Sequence, residues 1–152
     1  MLVRLIYVSY ANAVMRDEDI EEILQKSKLN NSKNNISGVL MYSNRYFFQC
    51  LEGERGKVNA TYLHIAKDAR HSKCVQLEYS AIDTRLFAAW SMEHVPFNGV
   101  ADEVLVKYSE NGLFHPYDFS AGQAVSLLTE VSQAAAEANA ASKKSLFSWL
   151  KK

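Results

Sequence analysis

A glutamine interrupts a run of aromatic and apolar residues, Arg45-Tyr46-Phe47-Phe48-Gln49-Cys50-Leu51. Side chains of a strand alternate between two faces, and both faces of this run are apolar, so we expect the strand to be covered on both sides. Gln49 is then a buried amide, whose donors and acceptors all need partners. Two interpretations remain open: the amide binds the backbone of a neighbouring loop, or it binds a polar ligand.

Other polar residues fall at positions where a core or a helix packs. Tyr7 lies among apolar strand residues and needs a partner for its hydroxyl. Ser27 and Asn31 continue an apolar helix stripe, where capping of the helix end is the alternative role. A second group is expected near the end of the second helix, where its cations would also complement the helix dipole: His64, Lys67, Asp68, Arg70 and His71.

The elements that must position these residues follow from hydrophobic periodicity and turn residues. Asp17 is the predicted cap of the first helix, and the asparagine-rich stretch 30–35 is predicted to be a polar connection. Pro96 is expected to end the last strand. The predicted strands are Leu2–Ser9, Ile36–Tyr42, Arg45–Leu51 (after a turn at Ser43-Asn44), Val75–Ile82 and Trp90–Val95; the predicted helices are Arg16 to about Asn30 and Arg55 to Ala69.

This βαββαββ order predicts an α+β, ferredoxin-like sandwich, with both helices on one face of one mixed sheet. We expect residues 1–97 to form this domain and 98–152 a helical extension. The extension is predicted to contain a short stripe (Val100, Val104, Tyr108) closed by Asn111-Gly112, and a helix from Ala121 to about Ala141 with Val125, Leu128 and Val131 on its packing face. That helix would pack on the second sheet face or in a dimer, and 146–152 would be an amphipathic segment or a frayed tail.

Composition excludes several classes of protein. The chain has 152 residues, of which 48% are hydrophobic, and its 17 basic and 17 acidic residues cancel. A balanced charge gives no overall attraction to nucleic acid or to an anionic membrane, although local patches are compatible with it. No apolar run approaches the ~20 residues of a membrane span. The start of the chain lacks a signal-peptide layout, and Cys50 and Cys74 form no CxxC pair, so we expect a reduced, cytoplasmic protein.

Five segments taken together resemble the successive motifs of BLUF domains, the flavin-binding blue-light sensors. The resemblance covers about Leu2 to Phe97, roughly two-thirds of the chain. The segments are Arg4-Leu5-Ile6-Tyr7-Val8-Ser9, Asn30 to Leu40, Phe48-Gln49-Cys50-Leu51-Glu52-Gly53-Glu54, Asp68-Ala69-Arg70-His71 and Trp90-Ser91-Met92. Family members are ferredoxin-like and hold the isoalloxazine ring between their two helices.

The resemblance implies roles for individual residues. Tyr7 would transiently reduce the photoexcited flavin, and Gln49 would link Tyr7 to the flavin and rearrange its hydrogen bonds to give a reversible red-shifted signalling state. Trp90 and Met92 would be the last-strand pair that exchanges proximity to Gln49. The predicted cofactor-binding set is Tyr7, Ser27, Asn30, Asn31, Gln49, His64, Ile65, Asp68, Arg70 and His71.

The resemblance also implies FAD as cofactor, with FMN as the alternative. His64 replaces the arginine with which several relatives approach the flavin phosphate, and Asn35 and Ser37 differ from the commoner glycine and threonine. We expect no enzyme activity and no following output domain. Output would pass through contact with an unidentified downstream regulatory protein, and the chain is expected to form homo-oligomers, without nucleic-acid or membrane partners.

Two rival functions fit the residues less well. A LOV-type sensor needs a reactive cysteine beside its flavin, whereas Cys50 alternates to the opposite face from Gln49. An RNA-recognition module uses aromatic residues on an open sheet face, which Tyr46-Phe47-Phe48 resemble, but the neutral charge and missing glycine-rich aromatic signature disfavour it.

Overall fold

A five-stranded mixed sheet forms the centre of the molecule. The computed structural model describes residues 1–42, 45–96, 102–110 and 115–151. The strand order is β4-β1-β3-β2-β5, in which β2 and β5 are parallel and the other neighbours are antiparallel. The elements are β1 (Leu2–Ala11), α1 (Asp17–Asn34), β2 (Ser37–Tyr42), β3 (Tyr46–Glu54), α2 (Arg55–Ala66), β4 (His71–Ala81), β5 (Glu93–Pro96), α3 (Asp102–Lys107) and α4 (Ala121–Leu150). The predicted ferredoxin-like order is confirmed.

The strands β1, β2 and β3 are buried on both faces, as the apolar glutamine strand predicts. On the face covered by α1 and α2, which we call the α1/α2 face, the core contains Val3, Leu5, Tyr7, Ile20, Leu24, Leu40, Phe47, Leu51, Val58 and Met92. On the opposite face, which we call the α4 face, it contains Ile6, Val8, Val39, Met41, Phe48, Cys50, Phe87, Phe119, Ala124, Leu127, Leu128 and Val131. The first half of α4 therefore packs on the domain's own sheet, one of the two arrangements expected for it.

The first helix differs from its predicted bounds at both ends. The residue that caps it is Arg16, not Asp17, and the Arg16 backbone N–H donates to the Asp19 carboxylate at 2.9 Å. At the other end the helix continues through most of the stretch predicted as a polar connection and stops at Asn35, whose φ of 53° is left-handed. The helix continues because Asn31 is buried and its Nδ2 donates to the Ser91 carbonyl oxygen at 2.8 Å, so tertiary contact overrides local propensity.

The second helix ends earlier than predicted, and the last strand begins later. α2 stops at Ala66, so Asp68 and Arg70 lie in the turn after it and His71 is the first residue of β4. Trp90 and Met92 precede β5 and do not belong to it. The reason is topological, because the chain must cross from β4 at one edge of the sheet to β5 at the other.

The long C-terminal helix starts where predicted and extends further. The Ser120 hydroxyl accepts from the Gln123 backbone N–H at 3.2 Å and caps α4, which continues to Leu150 beyond the predicted end near Ala141. The predicted turn at Ser43-Asn44, Val100, Asn111-Gly112 and the boundary at Phe97 lie outside the described residues. In the part of the chain that the structure describes, no helix is long and apolar enough to span a membrane.

Candidate functional site

A cavity of about 230 Å³ lies between α1, α2 and the sheet. Strands β1 and β3 supply the floor, the second half of α1 supplies one wall, and α2 with the turn after it supplies the other. All ten residues of the predicted cofactor-binding set line it: Tyr7, Ser27, Asn30, Asn31, Gln49, His64, Ile65, Asp68, Arg70 and His71. Residues far apart in sequence are thus brought around one space.

Five further residues line the cavity and were missed: Ile23, Lys26, Leu40, Phe47 and Thr61. Two of them carried a signal, because Phe47 alternates onto the face of Gln49 and Leu40 pairs with Gln49 across β2 and β3. Lys26 forms an exposed ion pair with Glu22 at 2.8 Å, as many surface lysines do. Nothing in the sequence singles out Lys26 or Thr61.

Tyr7 and Gln49 form a buried hydrogen-bonded pair on the floor of the cavity. They are cross-strand partners on β1 and β3, and the Tyr7 hydroxyl donates to Gln49 Oε1. Burial, reinforced by Cys74, Tyr62 and Asp68, raises the pKa of Tyr7 far above its usual value. Tyr7 is therefore a neutral donor at physiological pH, and the oxygen end of the Gln49 amide is the end that faces it.

The other end of the Gln49 amide contacts the segment before β5. Gln49 Nε2 lies 3.5 Å from the Met92 sulfur, and Met92 is fully buried on the α1/α2 face. Trp90 lies on the α4 face, where its ring stacks on Phe87 with 5.5 Å between ring centroids. Of the predicted last-strand pair, the structure places only Met92 beside Gln49.

Residues 90–92 are hydrogen-bonded to both the sheet and α1. The Gly38 backbone N–H donates to the Trp90 carbonyl oxygen at 2.9 Å, and Asn31 holds the Ser91 carbonyl. A Cβ at position 38 would overlap with the Cys50 carbonyl oxygen, so the close approach of these strands requires glycine there. The short segment thus links the two faces of the sheet, because Trp90 and Met92 point to opposite sides of it.

A buried carboxylate holds the same crossing segment from the α4 face. Glu52 is 0% exposed, and its Oε1 lies 2.8 Å from Nη2 of Arg4, whose side chain is 11% exposed. Glu52 also accepts from the backbone N–H groups of Leu86 at 3.2 Å and Phe87 at 3.0 Å. A buried charge needs hydrogen-bond donors of this kind around it. Because two of the donors are backbone N–H groups of residues 86 and 87, Glu52 fixes the start of the segment that carries Trp90 and Met92.

His71 lines the cavity with both ring nitrogens already engaged. Nε2 lies 2.7 Å from the Ile65 carbonyl oxygen, which only accepts, so Nε2 carries a proton. Nδ1 lies 2.7 Å from the Ser9 hydroxyl, which can donate to it when the ring is neutral. The ring edge approaches Phe47 and Tyr7, so His71 supplies a wall of the cavity and keeps no nitrogen for a ligand.

Asp68 and Arg70 bind one another at the mouth of the cavity. Arg70 Nη2 lies 2.6 Å from Asp68 Oδ2, and the Arg70 backbone N–H also donates to this carboxylate at 2.9 Å. These hydrogen bonds from Arg70 lower the pKa of Asp68 to about 2, against the effect of partial burial. The carboxylate therefore stays charged, and the guanidinium is held in one orientation beside the opening.

A second cavity of about 310 Å³ adjoins the first between α1 and the start of α2. Asn30, Thr61 and His64 line both cavities. Lys57 supplies a cation there, whereas the backbone N–H groups of residues 56 and 57 already donate to the Glu54 carboxylate. The α2 N-terminus is thus capped by its own chain, and the positive charge at this end comes from side chains.

Comparison with known proteins identifies the family. The family model described as "Sensors of blue-light using FAD" matches residues 2–93, which is more than half of the chain. The chain belongs to the BLUF family. Its cofactor class is therefore FAD, and sensing of blue light is the function of the family.

Two relatives of this BLUF chain are much longer than it is. It is 35% identical over 88 residues to the photoactivated adenylate cyclase subunit alpha of Euglena gracilis, covering 58% of this chain and 9% of that protein. It is 32% identical over 93 residues to the blue light- and temperature-regulated antirepressor BluF of Escherichia coli (strain K12), covering 61% and 23%. The chain thus spans less than a quarter of either protein.

A solved structure of similar size matches more of this BLUF chain. It is BlsA in its photo-activated state, with a TM-score of 0.79, 35% identity, and coverage of 87% of this chain and 95% of that one. The match extends past the family-model residues, so the likeness includes part of the helical extension.

The residues around the cavity fit an isoalloxazine ring. Ile23, Leu40, Phe47 and Ile65 offer the apolar surface that a flat aromatic ring needs. Gln49 and Asn31 provide amide groups, which match the alternating carbonyls and N–H of the ring's polar edge. Both amides are buried, so a polar ligand edge would complete their hydrogen bonding.

Proposed function

We propose that this chain is a blue-light receptor in which Tyr7 and Gln49 act as the photochemical switch and contact with another protein carries the output. The observation that supports it is the buried chain of contacts from the Tyr7 hydroxyl through the Gln49 amide to the Met92 sulfur. These contacts end on segment 90–92, whose Met92 lies on the α1/α2 face and whose Trp90 lies on the α4 face.

In this proposal Gln49 and Asn31 would hold the polar edge of the flavin ring in the first cavity. Ser27, Asn30 and Ile65 would border the ring, His71 would supply a wall, and Arg70, oriented by Asp68, would be a further contact. Lys57 and His64, the basic side chains that line the second cavity, would hold the phosphates of FAD.

The switch uses the chemistry of a phenol and a primary amide. FAD, when bound and excited by blue light, would supply a strong oxidant. Tyr7 would give an electron and its hydroxyl proton to this oxidant, so the donor that holds Gln49 Oε1 would be lost. An amide freed from its donor turns by half a rotation, which exchanges its NH2 and oxygen ends. The electron and proton return to Tyr7, and Gln49 keeps its new orientation.

The turned amide changes what Met92 touches. An N–H that faces the sulfur at 3.5 Å is replaced by an oxygen, and two acceptors facing each other repel. The segment 90–92 then moves against its anchors at Gly38 and Asn31, and Trp90 shifts on the α4 face. This is a two-state element whose balance light changes.

The output step follows from the position of Trp90. Trp90 packs against the apolar cluster to which the α4 side chains Leu127 and Leu128 belong, so a shift of Trp90 would alter the packing of α4 rather than the cavity. We propose that a downstream regulatory protein, or a second copy of this chain, binds the altered surface. In this scheme the chain has no catalytic activity of its own.

Tyr7→Phe and Gln49→Ala test the proposal. Both variants should retain bound FAD, because apolar walls remain, and both should lose the reversible red shift of the absorption spectrum under blue light. Tyr62→Phe is the matched control, since its ring lies 5.3 Å from the Tyr7 ring without binding Gln49, and it should keep the shift. A normal photocycle in Tyr7→Phe or Gln49→Ala would disprove the switch.

A further inference from the structure

The second half of α4 extends away from the domain as an exposed helix. From Ala136 to Lys151 every side chain whose exposure is described is exposed, over about 22 Å of helix at 1.5 Å per residue. A helix of this length without tertiary packing is only marginally stable in water. Its formation therefore favours a partner that covers one side of it.

The end of this helix carries large apolar side chains in contact with water. Phe147 is 62% exposed and Trp149 74% exposed, and Leu146 and Leu150 are similar. Leu146, Trp149 and Leu150 are spaced i, i+3 and i+4, which places them on one stripe, and Phe147 borders it. Exposed apolar residues clustered in this way mark an interaction surface.

The charges of the same segment have one sign. Residues 138–152 contain four lysines, Lys143, Lys144, Lys151 and Lys152, and the last acidic residue before them is Glu137. Lys144 and Lys151 flank Phe147 at i−3 and i+4, so they border the apolar stripe on one side. The whole-chain balance of charge, on which the expectation of no membrane partner rested, hides this local patch.

We propose that residues 143–151 form an interfacial helix that binds an anionic lipid bilayer surface. Helices that lie in the headgroup region have this composition, with tryptophan and leucine on one stripe, phenylalanine beside it and lysines at its border. The lysine stems reach along the helix so that their charges meet lipid phosphates. A second copy of the segment fits less well, because it would bring lysines against lysines.

Cosedimentation of the FAD-loaded full chain with lipid vesicles tests this proposal. We expect binding to vesicles of phosphatidylcholine and phosphatidylglycerol in equal amounts at low salt, weaker binding at high salt, and none to phosphatidylcholine alone. Phe147→Glu/Trp149→Glu should weaken the binding at least about tenfold. Leu29→Glu/Leu63→Glu, at positions 62% and 59% exposed on α1 and α2, adds the same two charges and is the matched control; it should bind as the wild type does.

A second pair of variants tests the charge. Lys143→Gln/Lys144→Gln should bind anionic vesicles more weakly than Lys28→Gln/Lys33→Gln, which removes the same net charge from exposed positions on α1. The proposal would be overturned by no cosedimentation with anionic vesicles at low salt, a result that would point to an acidic protein surface. Equal binding of the Phe147/Trp149 variant and the wild type would also overturn it. Neither result depends on the photocycle, so the proposed switch stands or falls separately.

Discussion

The two faces of the sheet are built from the same strands but differ in what they bury. On the α1/α2 face, Tyr7, Gln49, Asn31 and His71 are buried around a cavity. On the α4 face, alternate residues of the same strands pack against Leu127 and Leu128 as a continuous apolar layer. Phe47 and Phe48 are neighbours in β3, yet one lines the cavity and the other the apolar layer.

This difference separates the binding of the cofactor, on one face of the sheet, from the close packing that stabilises the fold, on the other. Polar groups are retained on the face where a ligand would satisfy them, and the opposite face supplies the close packing that keeps the strands in register. Because successive side chains of a strand point to opposite faces, each residue of a central strand belongs to one face or the other. Substitutions on the two faces should therefore have distinguishable consequences, one set for the cofactor and one for stability.

The largest effect is expected from Phe48→Ala on the α4 face. Phe48 is fully buried, and its ring meets that of Phe119 at 6.0 Å between centroids. Its removal should lower the free energy of unfolding by about 3–5 kcal/mol. Phe47→Ala should cost about 1–2 kcal/mol, because one side of this ring already borders a cavity, but it should weaken FAD retention. Urea unfolding and the flavin content of purified protein measure the two effects. Equal stability losses in the two variants would contradict the comparison.

A loss of about 3 kcal/mol is expected from Glu52→Leu, because Arg4 and two backbone N–H groups lose their buried partner. Glu52 is a fully buried charge on the α4 face, so its effect should appear in stability and in the placement of Trp90. Urea unfolding measures the change in stability. The fluorescence of Trp90, recorded in a Trp149→Phe background so that Trp90 is the one tryptophan left, measures its placement. An unchanged unfolding midpoint would show that Leu86 and Phe87 do not depend on Glu52.

Two methionine substitutions give a matched pair with smaller effects on stability. Met92→Leu and Met41→Leu both replace a fully buried methionine with a residue of similar volume, so each should cost less than about 1.5 kcal/mol. Only Met92→Leu removes the sulfur beside Gln49, and only it should change the rate of dark recovery after blue light. If Met41→Leu changes the rate equally, the recovery depends on general packing instead of on this contact.

The smallest effect is expected from Asp68→Asn, at most about 1 kcal/mol because the pair with Arg70 is partly exposed to solvent. The pKa of Asp68 is lowered to about 2 in the folded protein, so its contribution is fully present above the ordinary pKa near 4 and is lost as the pH falls through 2. The difference in unfolding midpoint between wild type and Asp68→Asn should therefore shrink below about pH 4 and disappear only below about pH 2. A difference that stays the same from about pH 5 to about pH 1 would exclude the ion pair as its cause.

Much of the architecture was predictable because it rests on local patterns. The alternation in β3 predicts that Gln49 and Cys50 face opposite sides, and the apolar stripes of α1 and α2 predict which helix faces meet the sheet. The same alternation would also have found Phe47 at the cavity. Seven of the ten predicted residues that line the cavity lie in the family-like segments, and the other three, Ser27, His64 and Ile65, lie on the two predicted helices.

What the sequence did not predict depends on contacts between distant segments. The stretch 30–34 has the composition of a loop, yet it is helical because Asn31 meets Ser91, sixty positions away. Trp90 and Met92 have strand-like neighbours, yet they lie in the crossing segment because Glu52 and Gly38 hold that segment's backbone. Neither partner is visible to a window of a few residues.

The last strand of the sheet has four residues, lies at the edge and pairs only with β2 among the described strands. So few backbone hydrogen bonds make β5 the part of the sheet with the lowest free energy of local opening. Its amide hydrogens should exchange with solvent deuterium long before those of β1 and β3, without global unfolding. Segment 90–92, through which we propose that the signal passes, leads directly into this strand, and releasing an edge strand takes far less work than separating the central strands.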